Sequence, residues 1–145
     1  MFSIRYYDDA LCFESDAMAR HKDEATQSCL AFVKRFGADS SSGIMIVFRE
    51  LLTNAIEHGV SPLSPIVSVE VRMTKERRFK ISVTDAGRGF DYRTLDCESE
   101  PVDPRQVTNR GYRLIRTFAD ELAFNEQGNS VTAYVPVSTS DKKIA

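Results

Sequence analysis

The amino-acid sequence predicts an α+β fold. It is a two-layer sandwich in which a mostly antiparallel, mixed sheet carries helices on one face. Three observations lead there. Helical and strand-like segments come in blocks rather than in strand–helix–strand alternation. The strand-like segments pair as hairpins across short polar turns. The helical segments carry apolar residues on one stripe only, so each has a single face to bury.

The elements follow in order. Phe2 to Tyr7 alternates loosely and reads as a first, edge strand. Ser15 to Phe36 reads as a helix, with Ala17, Met18, Ala25, Cys29, Phe32, Val33 and Phe36 near one stripe and Gly37 as its stop. Ser40, Ser41 and Ser42 offer N-caps for a second helix. Ile44, Val47, Phe48, Leu51, Leu52, Ala55 and Ile56 form its inner face, and Gly59 ends it. Pro62 and Pro65 mark a loop. Ile66 to Met73 and Phe79 to Val83 alternate as a hairpin around the polar turn Thr74–Arg77. Tyr92 to Thr108 is polar, acidic and broken by Pro101 and Pro104, a loop long enough to be functional. Gly111 to Phe118 reads as a third helix. Leu122–Asn125 and Val131–Val137 close the chain as a hairpin around Gly128 and Asn129.

With 145 residues and no internal repeat, the chain reads as one domain over 1–145. It has a lid-like loop at about 92–108 and a frayed polar tail at about 138–145. A net charge of −2 gives no global attraction to nucleic acid or to an anionic membrane. No apolar run spans a bilayer, and the N-terminus lacks the pattern of a secretion signal. Cys12, Cys29 and Cys97 match no zinc or redox spacing, so three free thiols in a reducing cytoplasm are expected.

Three groups of residues point to chemistry. Glu50 and Asn54 lie four apart in the second helix, hence on one face a turn apart. A neutral amide oxygen can ligate Mg²⁺ while a nucleotide's phosphates supply charge, and a carboxylate one turn earlier can act as general base. Taken alone, this pair reads more readily as a solvated polar face. Asp85 ends a strand and precedes Gly87 and Gly89. An aspartate there can accept a hydrogen bond from an exocyclic amine, while the glycines permit close backbone approach; an ordinary turn reads the same way. Gly111, after the long loop, opens a helix whose N–H groups and dipole suit an anion, with Arg110 and Arg113 to reinforce it. The spacing is not that of a dinucleotide fingerprint.

These three groups, in this order, resemble the GHKL (Bergerat-fold) ATPases. Within them, the short single-domain form is similar to the RsbW and SpoIIAB serine-kinase anti-sigma factors. Glu50-Leu-Leu-Thr-Asn54-Ala-Ile-Glu-His58-Gly59 resembles that subfamily's N box. Asp85-Ala-Gly-Arg-Gly-Phe90-Asp91 resembles its G1 box, and Arg110-Gly111-Tyr-Arg-Leu-Ile the second half of its G2 region. Gly128-Asn-Ser130-Val-Thr resembles the final Gly-Thr strand start, with Ser130 for the usual Thr.

The resemblance implies ATP and Mg²⁺ as cofactors, Glu50 as general base and Asn54 as the metal ligand. It implies Asp85 as reader of the adenine amine, Gly87 and Gly89 as shapers of the base pocket, and residues 92–108 as the ATP lid. Gly111 would begin the phosphate-binding helix, with Arg110 and Ser130 also at the nucleotide. It further implies a homodimer that phosphorylates a STAS-domain anti-anti-sigma protein and sequesters a sigma factor or other regulator, with no direct nucleic-acid or membrane partner. Two positions depart from the pattern: Asn109 replaces a glycine, and Tyr112 a small aliphatic residue. Both would weaken phosphate binding, as would Asp96, Glu98, Glu100 and Asp103 in the lid if they faced the triphosphate.

Two other readings remain at this level. One is an idle GHKL-fold module acting only by holding a partner. The other is a detached histidine-kinase catalytic domain, disfavoured because no helix ahead of the site carries a phospho-acceptor. His21 sits in an amphipathic helix expected to pack on the sheet, and His58 at a helix terminus.

Overall fold

The computed structural model describes residues 2–37, 42–59, 65–85, 107–125 and 129–137, with backbone alone at 42, 58–59 and 107–112. The elements are β1 (Phe2–Tyr6), β2 (Ala10–Ser15), α1 (Met18–Lys34), α2 (Ser42–Asn54), a π-helical turn (Ala55–Gly59), β3 (Val67–Met73), β4 (Arg78–Asp85), α3 (Val107–Phe118), β5 (Glu121–Phe124) and β6 (Ser130–Pro136). The six strands form one sheet in the order β1-β2-β3-β4-β6-β5. All five pairings are antiparallel, so the mixed sheet expected from the sequence is a purely antiparallel one among the described residues.

Register explains the layering. Leu11, Val71, Ile81, Ala133 and Leu122 lie opposite one another across five strands, and so do Phe13, Val69, Val83, Val131 and Phe124. Side chains alternate along a strand, so these rows share one face. Their residues on β2, β3, β4 and β6 are all buried. The intervening positions put Cys12, Glu14, Ser68, Glu70, Ser82, Thr84 and Thr132 on the other face, where none is buried.

The helices cover the apolar face. Phe32 and Phe36 of α1 and its C-terminal turn meet Phe79 edge-on at 6.3 and 5.8 Å, and Phe48 of α2 meets Phe13 at 6.0 Å. Full burial of a side chain such as Phe32, Phe48 or Phe79 stabilises by roughly 1.5–3 kcal/mol before entropy is charged against it, and the partly buried Phe36 contributes less. His21 stacks on Phe2 at 4.8 Å, so it packs against the sheet as its helix pattern implies. Gly37 ends α1 with φ +73°, the left-handed geometry that glycine adopts without a Cβ penalty.

The strand β2 is absent from the sequence reading, which starts the first helix at Ser15. In the structure Ser15 closes β2, and its hydroxyl accepts a hydrogen bond from the Ala17 N–H at 2.9 Å just before α1. The signal was short: an Asp8-Asp9 turn followed by Leu11 and Phe13 pointing inward. The strand exists because β1 and β3 pair with it on both sides. Cys12 and Cys29 are free thiols. Burial pushes the Cys29 thiol far above its ordinary range. The expected third free thiol, Cys97, lies outside the described residues, as do the tail at 138–145 and the lid at 92–108 apart from Val107 and Thr108, which begin α3.

Candidate nucleotide site

The second helix builds the site's floor. Ile44, Val47, Phe48, Leu51 and Leu52 turn inward and are buried, which fixes the helix's rotation over the sheet. Asn54 falls beside that stripe and is only 9% exposed. Its Nδ2 is buried without a hydrogen-bond partner among the described residues. An orphaned donor of this kind costs roughly 1–3 kcal/mol, and native chains rarely retain one without a use.

Glu50, one turn earlier on the same side, is half-buried. Its proton affinity is raised, first by burial and then by Glu57, while the Lys22 ammonium opposes the rise. A carboxylate moved toward neutrality by desolvation is a better proton acceptor than one in water.

Directly after Asn54 the helix widens into the π-helical turn Ala55–Gly59, which packs against β4. Such turns appear frequently at functional sites, because the extra residue per turn re-aims the side chains around it. The helix does end at Gly59, as its sequence implies, but its last turn is π rather than α.

Asp85 is the last residue of β4. It pairs with Val67, and its N–H donates to the Asn129 carbonyl at 3.0 Å. Alternation along β4 places Asp85 on the helix-covered side, with Phe79, Ile81 and Val83. Glu50, Asn54 and Asp85 therefore belong to one side of the sheet.

Ser130 does not join them. It lies opposite Thr84, and the two hydroxyls bond at 2.8 Å on the open face. A one-residue step along a strand reverses the side-chain direction, so the hydroxyl assigned to the nucleotide from the sequence points to the other side of the sheet. The residue that meets the Asp85 backbone is Asn129, which the sequence marks only as a turn residue. Its backbone is held by Asn125, whose Oδ1 accepts from the N–H groups of Asn129 and Ser130 at 3.0 and 3.1 Å.

The helix α3 begins at Val107, so Gly111 lies within its second turn rather than at its start. A single glycine lowers helix propensity by about 1 kcal/mol and does not by itself stop a helix. The side chains of Arg110 and its neighbours, and Gly87 and Gly89, lie outside what the structure describes.

Among the described residues no three His, Cys, Asp or Glu side chains gather into a metal cage. The oxygen donors present, one amide beside one carboxylate, suit a hard cation that brings most of its ligands with it. A shallow trough on the open face, lined by Arg5, Cys12, Glu14, Ser68, Glu70 and Ser82 among others, lies across the sheet from Glu50 and Asn54 and takes no part in this arrangement.

A six-stranded antiparallel sheet with helices on one face and a carboxylate–amide pair on the second helix is consistent with an ATP-binding module of the GHKL type. Residues 16–135 match the family model of the histidine kinase-like ATPase domain, and the chain belongs to that family. Among solved structures it is similar to the histidine kinase domain from the Erythrobacter litoralis EL346 blue-light activated histidine kinase, with 18% identity and a TM-score of 0.45 over 70% of this chain and 46% of that one. The chain thus matches less than half the length of that protein chain. No curated protein matches it.

Proposed function

We propose that the protein is an ATP-dependent serine-protein kinase and anti-sigma factor. It phosphorylates a STAS-domain anti-anti-sigma partner and, as a homodimer, sequesters a sigma factor or other regulator. The observation that supports this best is the pairing of a half-buried Glu50, raised in proton affinity, with the orphaned amide of Asn54 one turn on. The first suits a group that takes a proton from an incoming hydroxyl; the second is a donor that a phosphate or water oxygen could satisfy, on an amide whose oxygen can face a cation.

Asn54 would hold Mg²⁺ through its amide oxygen, and the ion would neutralise phosphate charge when bound. Asp85 would accept a hydrogen bond from the adenine amine at the end of β4. Glu50 would accept the serine hydroxyl proton as that oxygen attacks the terminal phosphorus. The serine O–P bond forms, the β–γ bridge breaks, and ADP leaves with the bridging oxygen. Catalysis of this kind is mainly positioning and charge neutralisation.

The direct test is incubation with Mg·[γ-³²P]ATP and a neighbouring STAS protein, with Glu50→Ala as control. Acid-stable label on the STAS serine, lost by at least a hundredfold in Glu50→Ala, is the expected result, in keeping with the size of general-base effects of about 10²–10⁴. Label that disappears in acid would point to phosphohistidine and sink the serine assignment. The departure at Asn109 favours a second reading, an idle module that only holds its partner. Calorimetry with Mg·ATP separates the two, since an idle site gives no heat of binding.

A further inference from the structure

We propose that β1 is a self-association edge, at which a second copy of the chain adds its own first strand antiparallel, centred on Ile4, so that two sheets become one. This seam is the interface of the homodimer in the proposed function. It rests on that part of the reading and not on the kinase chemistry.

The strand β1 ends the sheet, with β2 as its neighbour among the described strands. The turn after it shows which way its backbone groups point. The Tyr7 N–H donates to the Ala10 carbonyl at 2.8 Å, in the same register that pairs Tyr6 with Leu11. Bonded and non-bonded pairs alternate along an antiparallel ladder. Phe2, Ile4 and Tyr6 therefore turn their N–H and C=O groups away from β2, out of the sheet edge. Natural edges are guarded by proline, lysine, a bulge or brevity. The segment Phe2–Tyr6 has no proline or lysine, and its register with β2 runs unbroken from end to end. The opposite edge, β5, is four residues long and opens on the exposed Glu121.

The side chains of β1 suit a second copy. Phe2, Ile4 and Tyr6 share the helix-covered side with Leu11 and Phe13. Leu11 is fully buried, yet Tyr6 opposite it is 60% exposed, so the helical layer stops short of this edge. An antiparallel pairing centred on Ile4 sets Ile4 against the partner's Ile4, and Tyr6 against the partner's Phe2. All of these are outward-bonding positions, and ring meets ring where Tyr6 is bare. On the open side the same register sets Arg5 against the partner's Ser3, which pairs in turn with the partner's Glu14. The row thus runs from a guanidinium, over a small hydroxyl, toward a carboxylate. The two-fold axis repeats it in reverse, so opposite charges face each other across the seam and no like charges stand directly opposite. The edge is complementary to itself, as a two-fold interface requires. The axis stands perpendicular to the sheet, which keeps both helical layers on the same side.

The test measures mass and register. In sedimentation equilibrium without nucleotide the wild type should be a dimer. Tyr6→Lys should weaken self-association about tenfold or more, by placing a guard charge at the seam. Tyr6 is exposed in the single chain, so the circular dichroism of this variant should match wild type. Ile4→Pro, which removes an outward N–H and no bond to β2, should also be monomeric. Register is read by oxidation in a Cys12→Ser, Cys97→Ser background. Ser3→Cys and Arg5→Cys chains mixed together should form a disulfide-linked dimer, because the two positions oppose each other at a non-bonded pair about 4.5 Å apart at Cα. Either variant alone should cross-link about tenfold less, since its thiols then lie diagonally, about 7–8 Å apart. A wild type that stays monomeric at about 100 µM would overturn the seam and the homodimer together, and leave the edge to a strand of another protein. A dimer that survives Tyr6→Lys, or one that shows no excess of the mixed disulfide, would overturn the β1 seam alone and leave a homodimer built elsewhere. Phosphotransfer is read separately by the labelled-ATP assay, so its failure is distinguishable from either result.

Discussion

Asn54 buries an amide nitrogen that finds no acceptor among the described residues, and Glu50 buries part of a carboxylate whose charge water would solvate better. Both are unfavourable to folding, so removing them should reveal the conflict. Asn54→Ala is expected to leave the stability of the nucleotide-free chain unchanged or to raise it, by up to about 1 kcal/mol, since an unsatisfied donor goes with the side chain. Mg·ATP affinity should fall sharply in the same variant. Denaturant melts beside calorimetry check both halves, and a large loss of stability would show that the amide is a structural group. For Glu50 the sign follows from its raised proton affinity. The stability gained by protonating it in the folded state is complete below its unfolded pKa and is lost as pH rises through the higher folded value. Glu50→Gln, a permanent mimic of the protonated form, should therefore melt higher than wild type near neutrality. The gap should close as pH falls toward the ordinary carboxylate range; a gap independent of pH would count against a desolvated Glu50.

Helix α2 shows how an element carries the site. Its apolar stripe fixes the rotation that puts Glu50 and Asn54 at the edge of the core, and its N-terminal turn is fixed by α3. A Cβ on Gly43 would stand 2.8 Å from Phe118 Cδ1. Gly43→Ala should destabilise by about 1–3 kcal/mol through this clash, read as a lower urea midpoint, and Phe118→Leu in the same chain should recover part of it. The stripe on α2, the stop at Gly37 and the hairpins around Thr74–Arg77 and Gly128–Asn129 were legible in the sequence because they depend on neighbours only a few residues away. The strand β2 was not. Six residues with two inward apolar side chains, Leu11 and Phe13, are too short to stand out from the start of a helix, and partners some distance along the chain decide their state. The widening of the helix after Asn54 was equally hidden, since Ala55 to Gly59 continue an ordinary helical pattern. Nor did the residues around Gly111 show that α3 begins at Val107.

At the scale of the whole molecule the sheet divides the chain into two sides with different duties. The helix-covered side holds Glu50, Asn54 and Asp85. The open side holds a ladder of hydroxyls, with Ser82 bonded to Thr132 at 2.9 Å and Thr84 to Ser130 at 2.8 Å. Under the proposed function this division predicts opposite results at two residues close in space. Asp85→Asn should weaken Mg·ATP binding at least tenfold, in line with the loss of about 1.5–3 kcal/mol for a hydrogen bond to a charged group. Ser130→Ala should leave that affinity within about twofold, because its hydroxyl serves Thr84 across the sheet. Equal losses in the two variants would mean that the strand end is rearranged when nucleotide binds.

Sequence alone determined the α+β class, the two inner helical stripes and the placing of a carboxylate and an amide one turn apart, because periodicity and spacing along one helix are local quantities. It also pointed to the family that the match over residues 16–135 establishes. Tertiary structure decided what no local pattern could. It showed that Asn54 is buried with an amide nitrogen left over among the described residues, that Glu50 is half-buried, and that Ser130 faces away from Asp85. Burial and electrostatic neighbours come from elements distant in the chain, and the face a strand residue occupies comes from register with its partners. A sequence can name the groups of a site, but only the packing of α1, α2 and β4 decides which of them share it.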